Sequence, residues 1–306
     1  MYGIIHTERS DKMKDCLVQG IVNEGRIRVI VCTSTELVKK AKESHDLWST
    51  SCIALGRTLT IGAMMGAMLK DEREKITIQI NGGGSIGQIL VDAYADGRVR
   101  GFVNDPHISL KYNESGLDAV AMAVGKEGYL RVIRDTNLKS DFTGTVELVS
   151  GEIGDDFAFY FTASEQVPTA VSVGVQLSAE EEVKVAGGII IQMMPDATES
   201  DIQLAENALK NCPSITNVIQ QKESAEEVLL KFFPDAEVIA SKEVRFECDC
   251  SKEKMAGALS VVDKKDLQEM IEEDHGCEII CNYCSTKYIF NEEELQEILD
   301  HGKMAH

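Results

Sequence analysis

The sequence lacks a basic surplus. Its 31 lysines and arginines stand against 51 acidic residues, for a formal net charge of −20. From Asp196 onward there are 25 acidic residues against 11 basic ones. Nucleic-acid binders need a basic surface to displace counterions, so DNA and RNA are not expected partners. Also missing is an N-terminal stretch that joins a basic region to an apolar run and a small-residue cleavage site. Residues 1–12 are polar and irregular, and read as an N-terminal extension, with Met13 an alternative start to Met1. The cysteines do not form an even set: there are nine, which fits reduced thiols in a cytoplasm-like compartment better than a secreted disulfide framework.

Long apolar runs are absent too. Gly62-x-x-x-Gly66 matches a membrane dimer motif, but Arg57 and its polar neighbours break the roughly 20 apolar residues that a span requires. Ser49–Lys70 therefore reads as a buried central helix, and no membrane partner is expected. No G-x-S-x-G elbow or H-E-x-x-H occurs. His45, Ser51 and Cys52 lie near a helix junction and read as capping or packing residues. Asp155 and Asp156 would face opposite ways on a strand, which argues against a carboxylate pair. Cys16, Cys32, Cys52 and Cys212 have no spaced partner and read as small buried hydrophobes. No catalytic residue is assigned and no enzyme is expected.

What remains is ample for folding: 306 residues with 43% hydrophobic content suffice for a large core and a second domain. Cys16–Val22 and Arg26–Cys32 alternate around Asn23-Glu-Gly25 as a β-hairpin, and Thr33 and Ser34 open a helix to about Asp46. Lys75–Ile80, Gln88–Ala93 and Val99–Val103 read as strands. Between the first two, Asn81-Gly-Gly-Gly-Ser-Ile-Gly87 formally contains G-x-G-x-x-G. A dinucleotide site would need a helix starting there, so a tight turn is the better reading. Leu117–Val124 reads as a short helix. Tyr129–Arg134, Thr143–Val149, Phe157–Thr162, Thr169–Leu177 and Val183–Met194 read as strands.

Beyond Pro195 the pattern becomes short amphipathic helices: Ser200–Asn211, a segment with Ile215, Val218 and Ile219, and a capping box at Ser224-Ala-Glu-Glu227 leading to Phe233. Such helices are marginal alone and depend on docking an apolar face. Near the C-terminus stand Cys248-Asp-Cys250 and, thirty residues later, Cys281-Asn-Tyr-Cys284. Four thiolates in two close pairs suit a closed tetrahedral zinc site. A direct C-x-C disulfide closes a tight ring and would be labile. Around the pairs, Ser260–Glu273 reads as a helix, Glu278–Ile280 and Lys287–Phe290 as strands, and Asn291–Leu299 as an acidic helix. His275 and Cys277 lie close enough in sequence to compete as ligands, but the C-x-x-C turn points two sulfurs at one metal with less strain, so both are left outside the ligand set.

The C-x-C and C-x-x-C pairs near an acidic end resemble the redox-regulated thirty-three-kilodalton heat-shock chaperone family. The glycine run after Ile80, Gly144-Thr-Val-Glu-Leu-Val-Ser-Gly151, Ser164-Glu-Gln-Val-Pro168 and Ala186-Gly-Gly-Ile-Ile-Ile-Gln192 carry the same resemblance, which covers nearly the whole chain from about Met13. It implies an α+β fold: a large mixed N-terminal domain with β-sheet and buried helices (13–195), a helical linker (196–247) sensitive to redox state and temperature, and a small zinc-binding redox-switch lobe (248–306). It further implies a cytoplasmic, ATP-independent holdase that binds unfolding client proteins. By this resemblance one zinc ion per chain is held by Cys248, Cys250, Cys281 and Cys284 in the inactive reduced form. Oxidation yields Cys248–Cys250 and Cys281–Cys284 disulfides, expels the metal and activates the chaperone, with homodimers expected on activation. Cys277 departs from the pattern as an additional oxidisable thiol. Two rivals come from other classes: a thiol–disulfide oxidoreductase, which would place its C-x-x-C at a helix start, and a passive module with a structural zinc.

Overall fold

A computed structural model of the chain describes residues 14–110, 118–136, 141–210, 214–221 and 224–301. The expected N-terminal extension, Leu117, Cys212 and the breaker Pro213 lie outside the described residues. The fold is α+β. Strands β1 (Cys16–Val22) and β2 (Ile27–Thr33) form the expected hairpin, followed by helices α1 (Thr35–His45) and α2 (Ser49–Gly66). Next come β3 (Lys75–Asn81), β4 (Gln88–Tyr94), β5 (Arg98–Val103), the short helix α3 (Ala119–Val124), β6 (Tyr129–Asp135) and β7 (Phe142–Glu147). Helix α4 (Ile153–Ala163) precedes β8 (Thr169–Leu177) and β9 (Val183–Met193). Three helices follow, α5 (Glu199–Lys210), α6 (Ile215–Gln220) and α7 (Ala225–Phe232), and then strands β10 (Glu237–Glu243) and β11 (Arg245–Phe246). The terminal lobe contains α8 (Lys252–Leu259), α9 (Lys264–Glu272), the hairpin β12 (Gly276–Ile280) with β13 (Lys287–Asn291), and α10 (Glu292–His301).

Two sheets organise these elements. One runs β10-β1-β2-β9-β8 and the other β11-β5-β4-β3-β6-β7. All pairings are antiparallel except β11 with β5. Side chains alternate across a strand, so each face of the first sheet buries its own set. Leu17, Ile30, Cys32 and Ile190 point into the main core with α2 and the second sheet. Val18, Val29, Val31, Ile189 and Ile191 point the other way, into a second core closed by Ala205, Ile215, Val218, Ile219, Val228 and Leu229 from α5–α7 and by Phe233 just after α7. Helix α2 is buried as its sequence implied, and Gly62 and Gly66 lie against β4 rather than against another membrane helix.

The structure corrects one expectation and shortens another. Phe157–Thr162 is the second half of α4 rather than a strand. Its aromatic residues raise β-propensity, but Ile153, Phe157, Tyr160 and Phe161 are buried at the three- and four-residue spacing of one helical face. Asp155 and Asp156 are therefore helix neighbours. Asp156 is buried and accepts backbone N–H groups from Val149 (2.7 Å) and Ser150 (3.0 Å), a turn-stabilising role. The helix expected over Ser260–Glu273 is present but shorter, as α9, and an unexpected helix, α8, precedes that segment. Helix α8 is capped by Ser251 and α9 by Asp263, which receives the Lys265 N–H at 2.8 Å. After Pro234 the chain is extended: β10 extends the first sheet and β11 adds to the second.

Candidate metal centre

Strand β11 delivers Cys248 and Cys250 to the edge of the second sheet, and the β12–β13 turn brings Cys281 and Cys284 to meet them. That turn is held by Cys281 N–H to the Thr286 carbonyl at 2.9 Å and Ser285 N–H to the Cys281 carbonyl at 2.8 Å. All four sulfurs lie within 4.8 Å of one another. Zinc–sulfur bonds of about 2.3 Å in a tetrahedron set neighbouring sulfurs about 3.8 Å apart. Cys248 and Cys281 sulfurs are 3.8 Å apart, and those of Cys250 and Cys284 are 3.3 Å apart. The donor set thus fits a tetrahedral thiolate metal. These short distances run between the two pairs, so proximity alone does not select which cysteines join on oxidation.

Hydroxyls surround the sulfurs. Tyr288 Oη donates to Cys250 Sγ at 3.1 Å, and Thr286 Oγ1 lies 3.2 Å from Cys284 Sγ. Burial pushes the Cys248 thiol up to about 12 and also raises Cys281. Burial works the same way on Cys284, but hydrogen bonds from the Thr286 hydroxyl and backbone outweigh it and bring that thiol down to about 7. A divalent cation would hold all four as thiolates, with protons released as it binds.

Cys277 and His275 stand apart from the four sulfurs. Cys277 lies opposite Phe290 on β12 and packs into the lobe's apolar core, and burial raises its thiol. His275 Nδ1 faces the Glu292 carboxylate at 2.8 Å. Burial raises the Cys52 thiol to about 12 and Cys32 also upward, as expected of inert thiols, whereas Cys16 is only partly buried. Ser51 Oγ donates to the Asp105 carbonyl at 2.9 Å, a packing role. In the glycine run, the N–H groups of Gly84 and Ile86 go to the carbonyls of Val124 and Ala123, both at 3.0 Å, so they are not free to cradle a phosphate. The Cys281–Cys284 turn leads into strand β13 rather than a helix, so it lacks the helix N-terminus that activates an oxidoreductase thiol.

Two residues at this centre carried no signal in the sequence. Arg100, from β5, donates to Asp249, and its nearer nitrogen lies 3.6 Å from Cys248 Sγ. Its guanidinium carbon sits 4.3 Å from the centroid of the Tyr283 ring, and Phe102 meets that ring edge-on at 5.5 Å. His45, read as a capping or packing residue, ends α1 against the second cysteine turn. The Tyr283 carbonyl, 3.1 Å from Nε2, can only accept, so Nε2 carries the proton and Nδ1 accepts from Ser285 Oγ at 3.0 Å. Burial lowers the His45 pKa, which favours this neutral form.

The Hsp33 protein family model matches residues 15–291. The chain belongs to the Hsp33 family. The 33 kDa chaperonin of Enterococcus faecalis is 43% identical over 290 residues, covering 94% of this chain and 97% of that relative. Its counterpart from Bacillus subtilis is 42% identical over 287 residues, covering 94% and 98%. The crystal structure of the 33 kDa chaperonin (heat shock protein 33 homolog) from Thermotoga maritima superposes with a TM-score of 0.87 at 35% identity, covering 95% of this chain and 99% of that one. Membership in the Hsp33 family makes this a chaperone-family chain whose four-cysteine cluster is compatible with zinc and with redox-active disulfides. Among the described residues, no helix is long and apolar enough to cross a membrane.

Proposed function

We propose that the chain is an ATP-independent holdase switched by oxidation, with Cys248, Cys250, Cys281 and Cys284 as the ligands of one zinc ion. The observation that carries this reading is the convergence of four sulfurs directly beyond a linker whose apolar faces are covered by docking. Bound zinc would supply a cross-link that holds the sulfurs as thiolates and the small lobe in its fold.

The chain's own residues do the rest. Hydrogen peroxide accepts two electrons from two thiolates as its O–O bond breaks, a sulfur–sulfur bond forms, and two protons from solvent complete two waters. Two such events consume four thiolates, and the pairing implied by family resemblance is Cys248–Cys250 and Cys281–Cys284. The lobe then keeps only its small core around Leu267, Phe290, Leu295 and Ile298, which is too little for independent stability at this size. Loss of the lobe weakens docking of residues 196–247, and the apolar side chains of α5–α7 and the sheet face beneath them become available to unfolding clients. In this reading residues 13–195 are the body, 196–247 the linker and 248–306 the switch, in a cytoplasmic protein that dimerises on activation.

The test follows aggregation of a heat-unfolding client enzyme by light scattering, with reduced and peroxide-treated protein and zinc measured in parallel. Suppression by the oxidised, zinc-depleted form alone is expected. Equal suppression by both forms, or zinc retention by the active form, refutes the switch.

A further inference from the structure

Arg100 touches both halves of the cysteine set and anchors neither of them covalently. Its side chain is only 15% exposed. On the sheet side it meets Asp92, its cross-strand partner on β4, with Nε at 3.3 Å and a terminal nitrogen at 3.1 Å from the same carboxylate oxygen. Asp92 is itself fixed by the Thr77 hydroxyl at 2.6 Å. On the lobe side Arg100 donates to Asp249, between the first two cysteines, and lies 3.6 Å from Cys248 Sγ. Its flat face covers Tyr283, between the second two. One cation therefore spans the joint between sheet and switch, mostly out of water, where charge interactions are screened least.

We infer that Arg100 is the positioning residue through which the charge of the cysteine centre controls docking of the terminal lobe on the sheet. The inference rests on the redox reading above only for its trigger. Four thiolates around a divalent cation form a dianion, whereas two disulfides are neutral. In the reduced form the lobe therefore offers Arg100 both the Asp249 carboxylate and the dianion. After oxidation only Asp249 remains on that side, and Lys254 already shares it at 2.5 Å. Asp92 keeps the guanidinium on the sheet in either state. Disulfide formation also draws sulfurs together to about 2.05 Å, which reshapes the turn carrying Tyr283 and strips the stacking face from Arg100. The His45 contacts to Tyr283 and Ser285 are neutral hydrogen bonds. They set where the turn lands, and they do not respond to the charge of the centre.

The experiment uses the full chain, reduced and zinc-loaded, with Arg100→Gln, Arg100→Lys and Asp249→Asn. Hydrogen exchange is read at residues 244–251 and 281–286, and zinc content is read independently with a chromogenic chelator after denaturation. Arg100→Gln is expected to lower protection in both segments by about tenfold, the scale of one lost charge-assisted hydrogen bond, with zinc content unchanged. Arg100→Lys keeps the charge and is expected to retain most of that protection. Asp249→Asn leaves the Arg100–Asp92 pair in place and is expected to loosen the same segments without disturbing β3–β5, which separates undocking from unfolding of the sheet. Wild-type protection in Arg100→Gln overturns the inference, as does an Arg100→Lys protein as open as Arg100→Gln. If peroxide leaves wild-type zinc bound and the lobe docked, the redox reading fails, while the variants in reduced protein still decide the role of Arg100.

Discussion

Replacing Leu229 and Phe233 together by serine should make the reduced, zinc-loaded protein a partial holdase. Both side chains are fully buried against the first sheet, with 0% and 2% exposure. Truncating a buried Leu costs about 2–5 kcal/mol and a buried Phe about 3–5 kcal/mol. The two share one small core, so their costs will not simply add, but about 5 kcal/mol is a conservative total. Helix α7 has eight residues and α6 six, lengths at which helices depend on packing for their stability. A loss of that size from one small shared core is expected to undock this segment. It should not unfold the body, because the main core contains no residue from α5–α7. Hydrogen exchange of the reduced variant should show protection lost across residues 215–232 and kept in α2 and β3. Light scattering with a heat-unfolding client should show partial suppression without oxidant. The sheet side offers an independent probe: a Cβ at Gly20 would lie 2.7 Å from Leu229 Cδ2, so Gly20→Ala should act in the same direction at about 1–3 kcal/mol. Amides that stay protected while the variant becomes active would refute the linker as the switching element. Lost protection with activity reduced in both redox states would instead identify Leu229 and Phe233 as client-binding residues.

Three further outcomes are expected. Each single Cys→Ser change at Cys248, Cys250, Cys281 and Cys284 should lower zinc retention against a competing chelator, whereas Cys277→Ser should retain the metal, because Cys277 packs among apolar side chains of the lobe; zinc loss in Cys277→Ser would overturn the ligand assignment. Peroxide with mild heat should release zinc and give disulfides within each pair, and peptide mapping that finds mainly Cys248–Cys281 and Cys250–Cys284 bonds would contradict the pairing, a real alternative given their 3.8 and 3.3 Å sulfur distances. Burial pushes Asp15 up to about 6, although its carboxylate receives the Leu37 N–H at 2.7 Å at the start of α1. Between the ordinary carboxylate range and pH 6 the folded state holds more protons than the unfolded one, so this group's contribution to stability falls as pH rises through that window. Asp15→Asn should consequently be more stable than wild type at neutral pH by up to about 3 kcal/mol, with the difference closing below about pH 4; denaturant midpoints that differ equally at both pH values would show that the effect is not ionisation.

Much of the architecture was legible because its signals are local. β1, β2, β3 and β9 show β-branched residues in alternating or fully buried patterns, and α7 announces itself by a capping box that the structure forms in full, with Ser224 and Glu227 each bonded to the other's backbone. The failures are also physical. In α4 the aromatic residues suggested a strand, although their spacing is helical. Strand β10 is exposed at every position and has no buried alternation to betray it; it exists because β1 offers an open edge for its backbone. Helix α8 is short, with only Ala256 and Leu259 buried, so its periodicity is nearly silent.

The candidate metal centre divides along the same line. Its four sulfurs are visible because ligand spacing within each pair is a sequence-local property, and the lobe needs only to close a loop to join the pairs. Its attachment to the rest of the molecule is not local. Arg100 meets Asp249 across 149 positions, and His45 meets Ser285 across 240. No periodicity or motif connects residues so far apart, and an arginine on a strand or a histidine ending a helix is ordinary when read alone. These contacts join the cysteine turns to the body of the protein, and in the proposed switch they would carry events at the sulfurs to it. A lobe that was merely tethered could open without consequence beyond itself. Here β11 pairs with β5 immediately before Cys248, and β10 pairs with β1 immediately before that. The same seven residues of β10 follow directly on the turn after α7. One continuous backbone thus joins the cysteines to the end of helices α5–α7, with two strand pairings in between, and the proposed switch would act along it.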